Sequence, residues 1–260
     1  MRMRWFINLN IGISMWLSKL AELIVPRDDG YEHFVEKIVP DALKQNMRVL
    51  DVGGGKRPLI SLSEKQRLNL RVTGLDISAE ELAQAPDGAY DDVVVGSVED
   101  AAIDGQYDLI FSCAVLEHVP NPRAAIDNLS NALKSGGVML HFLPCKNAPF
   151  AKLNLLLGNS LAKKILYALL PSHRSFGGFK AYYRDCSPSR FEAMCEQNKL
   201  AEIEATPYFV SEYTKVFAPA FAMELARQST FSLLGLKNLA ETFVIRAKRP
   251  IETEELRKAA

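Results

Sequence analysis

Val49-Leu-Asp-Val-Gly-Gly-Gly-Lys56 decides the fold. The apolar run from Met47 to Val52 reads as a short strand, and Gly53-Gly54-Gly55 ends it abruptly. Glycine is needed where φ is positive or where a ligand touches backbone. In open α/β sheets, ligands sit beyond the carboxyl ends of the strands, at the point where strand order reverses. The segment therefore predicts a nucleotide-like ligand over Gly53 and Gly55. The dinucleotide fingerprint G-x-G-x-x-G would need glycine at position 58, where this chain has Pro58. A tight turn with no ligand is the alternative for this segment alone.

Working outward, further strands are predicted at Leu70–Asp76, Asp92–Val95, Tyr107–Ser112 and Gly137–Leu143. Helices fall between most of them. Ser78 to Ala85 opens with a good cap and has acids in its first turn. Pro122 to Leu133 carries Ala125, Ile126, Leu129 and Leu133 at helical spacing, with Gly136-Gly137 as its stop. Strands alternating with helices imply a parallel sheet with right-handed crossovers. Nearly all-apolar strands imply cover on both faces.

After Pro144 the alternation stops. Leu153 to Leu170 is strongly apolar, and a polar and aromatic loop follows from Ser172 to Arg184. Ser187-Pro-Ser-Arg-Phe191 opens another helix. Two last strands, Ala201–Val210 and Ala240–Ala247, enclose an apolar helix over about Val216 to Leu234. The expected fold class is α/β: a doubly wound, Rossmann-like, mostly parallel sheet with a helical lid and an inserted helix before the last strand. The expected layout is a lid over residues 1–40, a ligand-binding domain over 41–249 and a tail over 250–260. Within the domain, 145–190 and 211–239 are insertions.

The chain has 260 residues, enough for one large domain. Hydrophobic residues at 48% and charged residues at 24% exclude a disordered chain. Lys plus Arg and Asp plus Glu balance at 31 each, so no net field draws in nucleic acid. Cys113, Cys145, Cys186 and Cys195 form no C-x-x-C pair and no zinc spacing, so no metal is expected. Few scattered thiols suit a reducing cytoplasm. At the N-terminus, Asn8, Asn10, Ser14, Ser18, Lys19 and Glu22 interrupt the apolar run too often for a leader or a membrane span. Asn10, Ser14, Ser18 and Glu22 share one helical face; Leu9, Ile13, Trp16, Leu17, Leu20, Leu23 and Ile24 cover the other. An amphipathic helix is predicted.

Asp76 ends the second predicted strand about 20 residues after the glycine turn, where an acid accepts hydrogen bonds from ribose hydroxyls. A helix cap is its plainer role.

Val49-Leu-Asp-Val-Gly-Gly-Gly, Gly74-Leu-Asp-Ile-Ser, Gly96-Ser-Val-Glu, Tyr107-Asp-Leu-Ile-Phe-Ser-Cys-Ala-Val-Leu-Glu-His-Val and Leu133-Lys-Ser-Gly-Gly follow one another in order. The set resembles the successive motifs of class I S-adenosylmethionine-dependent methyltransferases, in the branch with a methyltransferase type 11-like core. The likeness covers about Met47 to Leu143. It implies that S-adenosyl-L-methionine is the cofactor. Asp51, Gly53 and Gly55 would shape the loop around its methionine part. Asp76 would hold the ribose, Ile77 the adenine face, and Ser97 and Val98 the adenine edge. Cys113 would lie near cofactor and acceptor. Glu117 and His118 match family positions that usually start a helix. The family often has glycine where Arg57 stands and aspartate where Ser97 stands. Lys56 or Arg57 could instead face the cofactor carboxylate, and Glu99 the adenine amino group.

An oxygen acceptor needs a general base within reach. Of His33, His118, His141 and His173, the candidates are His173, in the loop with Arg174, Tyr182, Tyr183 and Arg184, and His141, within the fifth strand. Core burial is the plainer role for His141 and surface exposure for His173. The apolar segments Trp5–Val25, Leu153–Leu170 and Val216–Leu234 either pack as a lid or face lipid, with Lys19, Arg27, Lys163 and Lys164 at the edge. The expected function is methyl transfer to a small-molecule or lipid-linked acceptor, with oxygen favoured. The expected location is the cytoplasm, or the inner face of a membrane. A scaffold without activity that kept the fold, and a nucleotide-dependent oxidoreductase, are the alternatives.

Overall fold

In the apolar runs alternate side chains point to opposite faces of a sheet. In a computed structural model, seven strands form that sheet: β1 (Arg48–Val52), β2 (Arg71–Asp76), β3 (Asp92–Val95), β4 (Tyr107–Cys113), β5 (Leu133–Pro144), β6 (Ala201–Tyr208) and β7 (Thr242–Lys248). The structure describes residues 2–156, 179–211 and 213–251. Strand order is β3-β2-β1-β4-β5-β7-β6. β1 pairs in parallel with β2 and with β4, so the order reverses at β1. Only β7 runs against its neighbours β5 and β6.

The alternation fills two cores. Val49, Leu109, Phe111, Leu140, Phe142 and Val244 pack on one face with Phe34 and Val39. Leu50, Val52, Ile110, Met139, Leu143 and Ile245 pack on the other. There they meet α6 (Pro122–Ala132) and α8 (Pro188–Gln197) through Ile126, Leu129, Phe191 and Met194. Phe34 and Val39 lie on the lid side of the boundary read at residue 41, yet they are buried in the α/β body.

The remaining helices are α1 (Arg2–Glu22), α2 (Gly30–His33), α3 (Val39–Ala42), α4 (Leu62–Arg67), α5 (Ala79–Ala83), α7 (residues 149–156) and α9 (Ala218–Leu233). A π-helical stretch, Phe34–Ile38, joins α2 to α3. The apolar segment predicted from Leu153 runs beyond residue 156 and mostly lies outside the described residues, as does His173.

Two expectations change. Cover on both faces fails at β3, an edge strand whose Val93 and Val95 are exposed. Gly136-Gly137 does not stop α6, because Leu133 is already extended and opens β5. Gly137 instead permits close backbone approach: a Cβ there would lie 2.7 Å from the Tyr107 carbonyl oxygen.

The rotation of α1 settles which of its two faces turns inward. Asn10 and Ser14, on the polar face, are buried against α9 together with Ala21. Asn10 Oδ1 accepts from Ala218 N at 2.9 Å, and Ser14 Oγ donates to the Lys215 carbonyl at 3.0 Å. Phe217, the cap residue of α9, offers no side-chain acceptor, so Asn10 satisfies an end N–H from outside the helix. The apolar face points away from the protein.

Candidate active site

The site forms at the carboxyl ends of β1, β2 and β4. Gly53 has φ +73° and Gly55 φ +47°. At Gly53 a Cβ would collide with the Val115 side chain, and at Gly54 with Tyr90 Oη and the Asp51 carboxylate. Gly53 N donates to the Leu75 carbonyl, which pins the turn to β2.

Asp51 is buried beneath the turn, and burial pushes its carboxyl up to about 7, against the pull of a hydrogen bond from Tyr90. Tyr90 Oη donates to Asp51 Oδ2 and to the Gly55 carbonyl, both at 3.3 Å. The Tyr90 ring lies on Gly74, where a Cβ would stand 2.9 Å from it. Tyr90 therefore braces the loop from below. No local motif marks it, because its partners are about 35 residues away in the chain.

Asp76 closes β2. Its Oδ1 accepts from Ser78 N at 2.9 Å, and Ser78 Oγ caps α5 by accepting from Glu81 N. Its Oδ2 lies 3.1 Å from the position a Cβ would take at Gly55, so the carboxylate faces the glycine turn. Burial raises its pKa first, and the Ser78 N–H pulls the other way. Ile77, next in the chain, is 62% exposed, an uncovered apolar side chain beside the acid.

An acid facing glycine backbone, flanked by a bare isoleucine, is a donor set that suits ribose hydroxyls and a planar base. The residues fit the adenosine part of S-adenosylmethionine.

Other expected site residues divide. Ser97 Oγ donates to Glu99 Oε2 at 3.0 Å, and Glu99 Oε1 accepts from Asn121 N at 2.6 Å. Glu99 is thus engaged within its own loop. The Val98 side chain is buried in the core, leaving its backbone as the part able to meet a ligand edge. The Lys56 ammonium goes to Glu81 at 3.0 Å, so it is drawn off a cofactor carboxylate. Cys113 ends β4, and burial pushes its thiol up to about 12.

His141 is fully buried, with Nδ1 2.8 Å from Ser112 Oγ. Burial lowers its pKa to about 3. An imidazole pushed down to about 3 is too weak a base to take a proton from an acceptor hydroxyl, so His141 leaves the candidate bases.

Two side chains enter that the sequence reading did not use. α2 sits at the same end of the sheet, where Gly30 lets it approach closely. A Cβ at Gly30 would lie 2.7 Å from Thr242 Oγ1. This sets the Tyr31 ring edge-on to Phe142, with centroids 6.1 Å apart. Burial raises the Tyr31 phenol, with Cys113 adding to it. The second is Glu117, in a 3-10 turn (Leu116–His118) just past β4. It is buried, its Oε2 has no hydrogen-bond partner, and burial pushes its carboxyl up to about 8. Its backbone carbonyl accepts from Tyr182 N and Tyr183 N.

The folded chain thus holds a proton on Glu117 that the unfolded chain releases near 4.5. The stability tied to this group is complete below about 4.5 and is lost as pH rises towards 8. Glu117→Gln should become progressively more stable than the native chain across that window, with the gain largest at its top. Thermal melts across the pH range check this; an advantage that does not grow with pH contradicts it.

A surface cleft of about 480 Å³ lies at the opposite end of the sheet, lined by Asn46, Arg48, Asn69, Leu70, Arg71 and Asp91. It is remote from the glycine turn.

Comparison with known proteins identifies the family. A family model described as a methyltransferase domain matches residues 26–180. The chain is similar to a ubiquinone biosynthesis O-methyltransferase of Nitrosococcus oceani, 32% identical over 157 residues, which are 58% of this chain and 61% of that protein. A protein of the same name from Erwinia tasmaniensis is 38% identical over 97 residues, 35% of this chain and 39% of the relative. The match therefore spans less than two thirds of either relative. A malonyl-[acyl-carrier protein] O-methyltransferase of Priestia megaterium is 23% identical over 210 residues, covering 80% of this chain and 73% of the relative. Among solved structures, a phosphoethanolamine N-methyltransferase 2 of Haemonchus contortus, in complex with S-adenosyl-L-methionine, shares the fold with a TM-score of 0.54 at 16% identity. It covers 84% of this chain and 52% of the other. An S-adenosylmethionine-dependent methyltransferase of Archaeoglobus fulgidus gives 0.54 at 14% identity, over 88% and 94%.

Proposed function

Because the chain belongs to the methyltransferase-domain family of class I S-adenosylmethionine-dependent enzymes, we propose that it methylates an oxygen of a small-molecule or lipid-linked acceptor. The observation that carries the cofactor half is the Asp76 carboxylate facing the Gly53–Gly55 turn at the end of β2. The oxygen half is supported by relatives that are O-methyltransferases by name.

S-Adenosylmethionine supplies a methyl group already activated on a sulfonium sulfur. The protein's part is to bind, to orient and to exclude water. Asp51, Gly53 and Gly55 shape the turn for the methionine end, with Tyr90 holding them. Asp76 receives the ribose hydroxyls, Ile77 lies against the adenine, and Ser97 and the Val98 backbone meet its edge. Cys113 and Tyr31 flank the acceptor side. Among the described residues, α2 adjoins that side through Tyr31, and the acceptor-side insertion 145–190 falls partly outside the described residues. No described helix is long and apolar enough to cross a membrane.

We assign the proton-accepting role to Glu117, which lies just past the carboxyl end of β4 near Cys113 with an unpartnered Oε2, and whose raised pKa makes its carboxylate form the stronger base for an acceptor hydroxyl. His173 remains a second candidate, outside the described residues. Turnover should climb with pH through about 8 and level off. Glu117→Gln should lose about 100-fold in kcat while still binding S-adenosylhomocysteine. The test is transfer of a labelled methyl group to matched phenol, carboxylic acid and amine acceptors. Label in an ether or ester supports the reading; label in amines alone overturns the choice of oxygen.

A further inference from the structure

α1 is mounted with its apolar face outwards. Its buried stripe is Asn10, Ser14 and Ala21, with Leu17 partly buried, packed on Phe221 and Leu225 of α9. The polar atoms on that stripe are used: Asn10 at Ala218 N, Ser14 at the Lys215 carbonyl. These contacts fix the rotation of the helix, and Arg27 Nη2, just past its end, ties on to Gln228 Oε1 at 3.1 Å. What remains outside is Trp5 at 68% exposure, Trp16 at 60%, Leu23 at 82% and Ile24 at 71%, with Leu9, Ile13 and Leu20 also exposed. A strip of seven large apolar side chains along α1 and the turn just after it is not the scattered exposure of an ordinary surface.

Charge identifies what covers it. Residues 1–22, to the end of α1, contain Arg2, Arg4 and Lys19 against a single acid, Glu22. A second copy of this chain seated on the strip would bring the same cations against them. An anionic lipid surface complements both features: tryptophans settle at the headgroup boundary, leucines enter the acyl region, and basic side chains reach the phosphates. The helix is not one that spans.

We propose that α1 is a membrane-interface helix that docks the protein on anionic phospholipid, with its polar stripe clamped to α9 and its apolar strip in the bilayer surface. This gives the membrane-side part of the proposed function its contact surface and does not depend on the acceptor or on Glu117. α1 leads directly into α2, which places Tyr31 over the end of β5. The docked face and the acceptor side are therefore joined by one short stretch of chain.

The chain's two tryptophans are Trp5 and Trp16, so native fluorescence reports on α1 alone. Full-length protein is titrated with phosphatidylcholine vesicles, with and without phosphatidylglycerol. The expected result is a blue shift with the anionic vesicles, weaker by several-fold with phosphatidylcholine alone and reduced by salt. R2E/R4E/K19E should lose the anionic preference, with an unchanged circular dichroism spectrum. S-Adenosylhomocysteine binding, measured on the same samples, should be unaffected, which separates a failure of docking from a failure of the catalytic reading. Emission that ignores anionic vesicles overturns the proposal. If the protein is then a dimer by sedimentation, the strip belongs to a second copy.

Discussion

Asp76→Ala should weaken S-adenosylhomocysteine binding by about 100-fold or more. A hydrogen bond to a charged group contributes about 1.5–3 kcal/mol, two ribose hydroxyls double that, and each 1.4 kcal/mol is a factor of ten. The folded state should lose less, because Asp76 gives it mainly one bond, from Ser78 N. Asp76→Asn keeps an oxygen for Ser78 N and removes the charge, so it should fall between native and alanine. Burial raises the Asp76 pKa, and only the ionised form accepts from both hydroxyls. Affinity should therefore fall on acidification at a higher pH than an ordinary aspartate would give. Calorimetry on the three proteins, with melting curves alongside, makes the check. Equal affinity in native and alanine forms would take Asp76 out of the site.

The second large effect is expected at Gly53. Its φ of +73° lies in the left-handed region, and a Cβ would strike the Val115 side chain. Gly53→Ala faces about 1–2 kcal/mol of backbone cost plus the collision, or about 3 kcal/mol in total. In a chain of this size that lowers Tm by roughly 5–10 °C. The turn would also move off the geometry that Tyr90 and Asp51 brace, so cofactor binding should fall with stability. Gly88→Ala is the control. Its φ is +79°, yet the nearest atom to a new Cβ is Leu62 Cδ2 at 3.9 Å. It should carry the backbone cost alone and leave binding intact. Equal losses in the two variants would mean that the Gly53 turn has no special part in the site.

Where residues act within one turn of chain, the sequence was readable. Gly53, Gly55 and Asp76 sit where strand ends put them, and each strand was placed to within a few residues by its apolar run. Pairings across the fold left no local signal. Tyr90 reaches Asp51 from 39 positions away. His141 was a candidate base with core burial as its plainer role, and burial in its central strand keeps it neutral. The rotation of α1 shows the limit of periodicity: the pattern located two faces correctly, but which face turns inward was decided by partners on and just before α9, about 200 residues later. Glu117 was read as a helix starter, since nothing adjacent to it reveals that its carboxyl is buried.

The central claim is that the turn after β1 and the acid after β2 hold S-adenosylmethionine. Calorimetric titration of S-adenosylmethionine and S-adenosylhomocysteine into folded native protein, with NAD as the control, tests it most directly. The account predicts one site per chain, micromolar affinity for both sulfur nucleosides and no heat from NAD. Binding of NAD in their place, or no binding of either to protein that melts cooperatively, would contradict it.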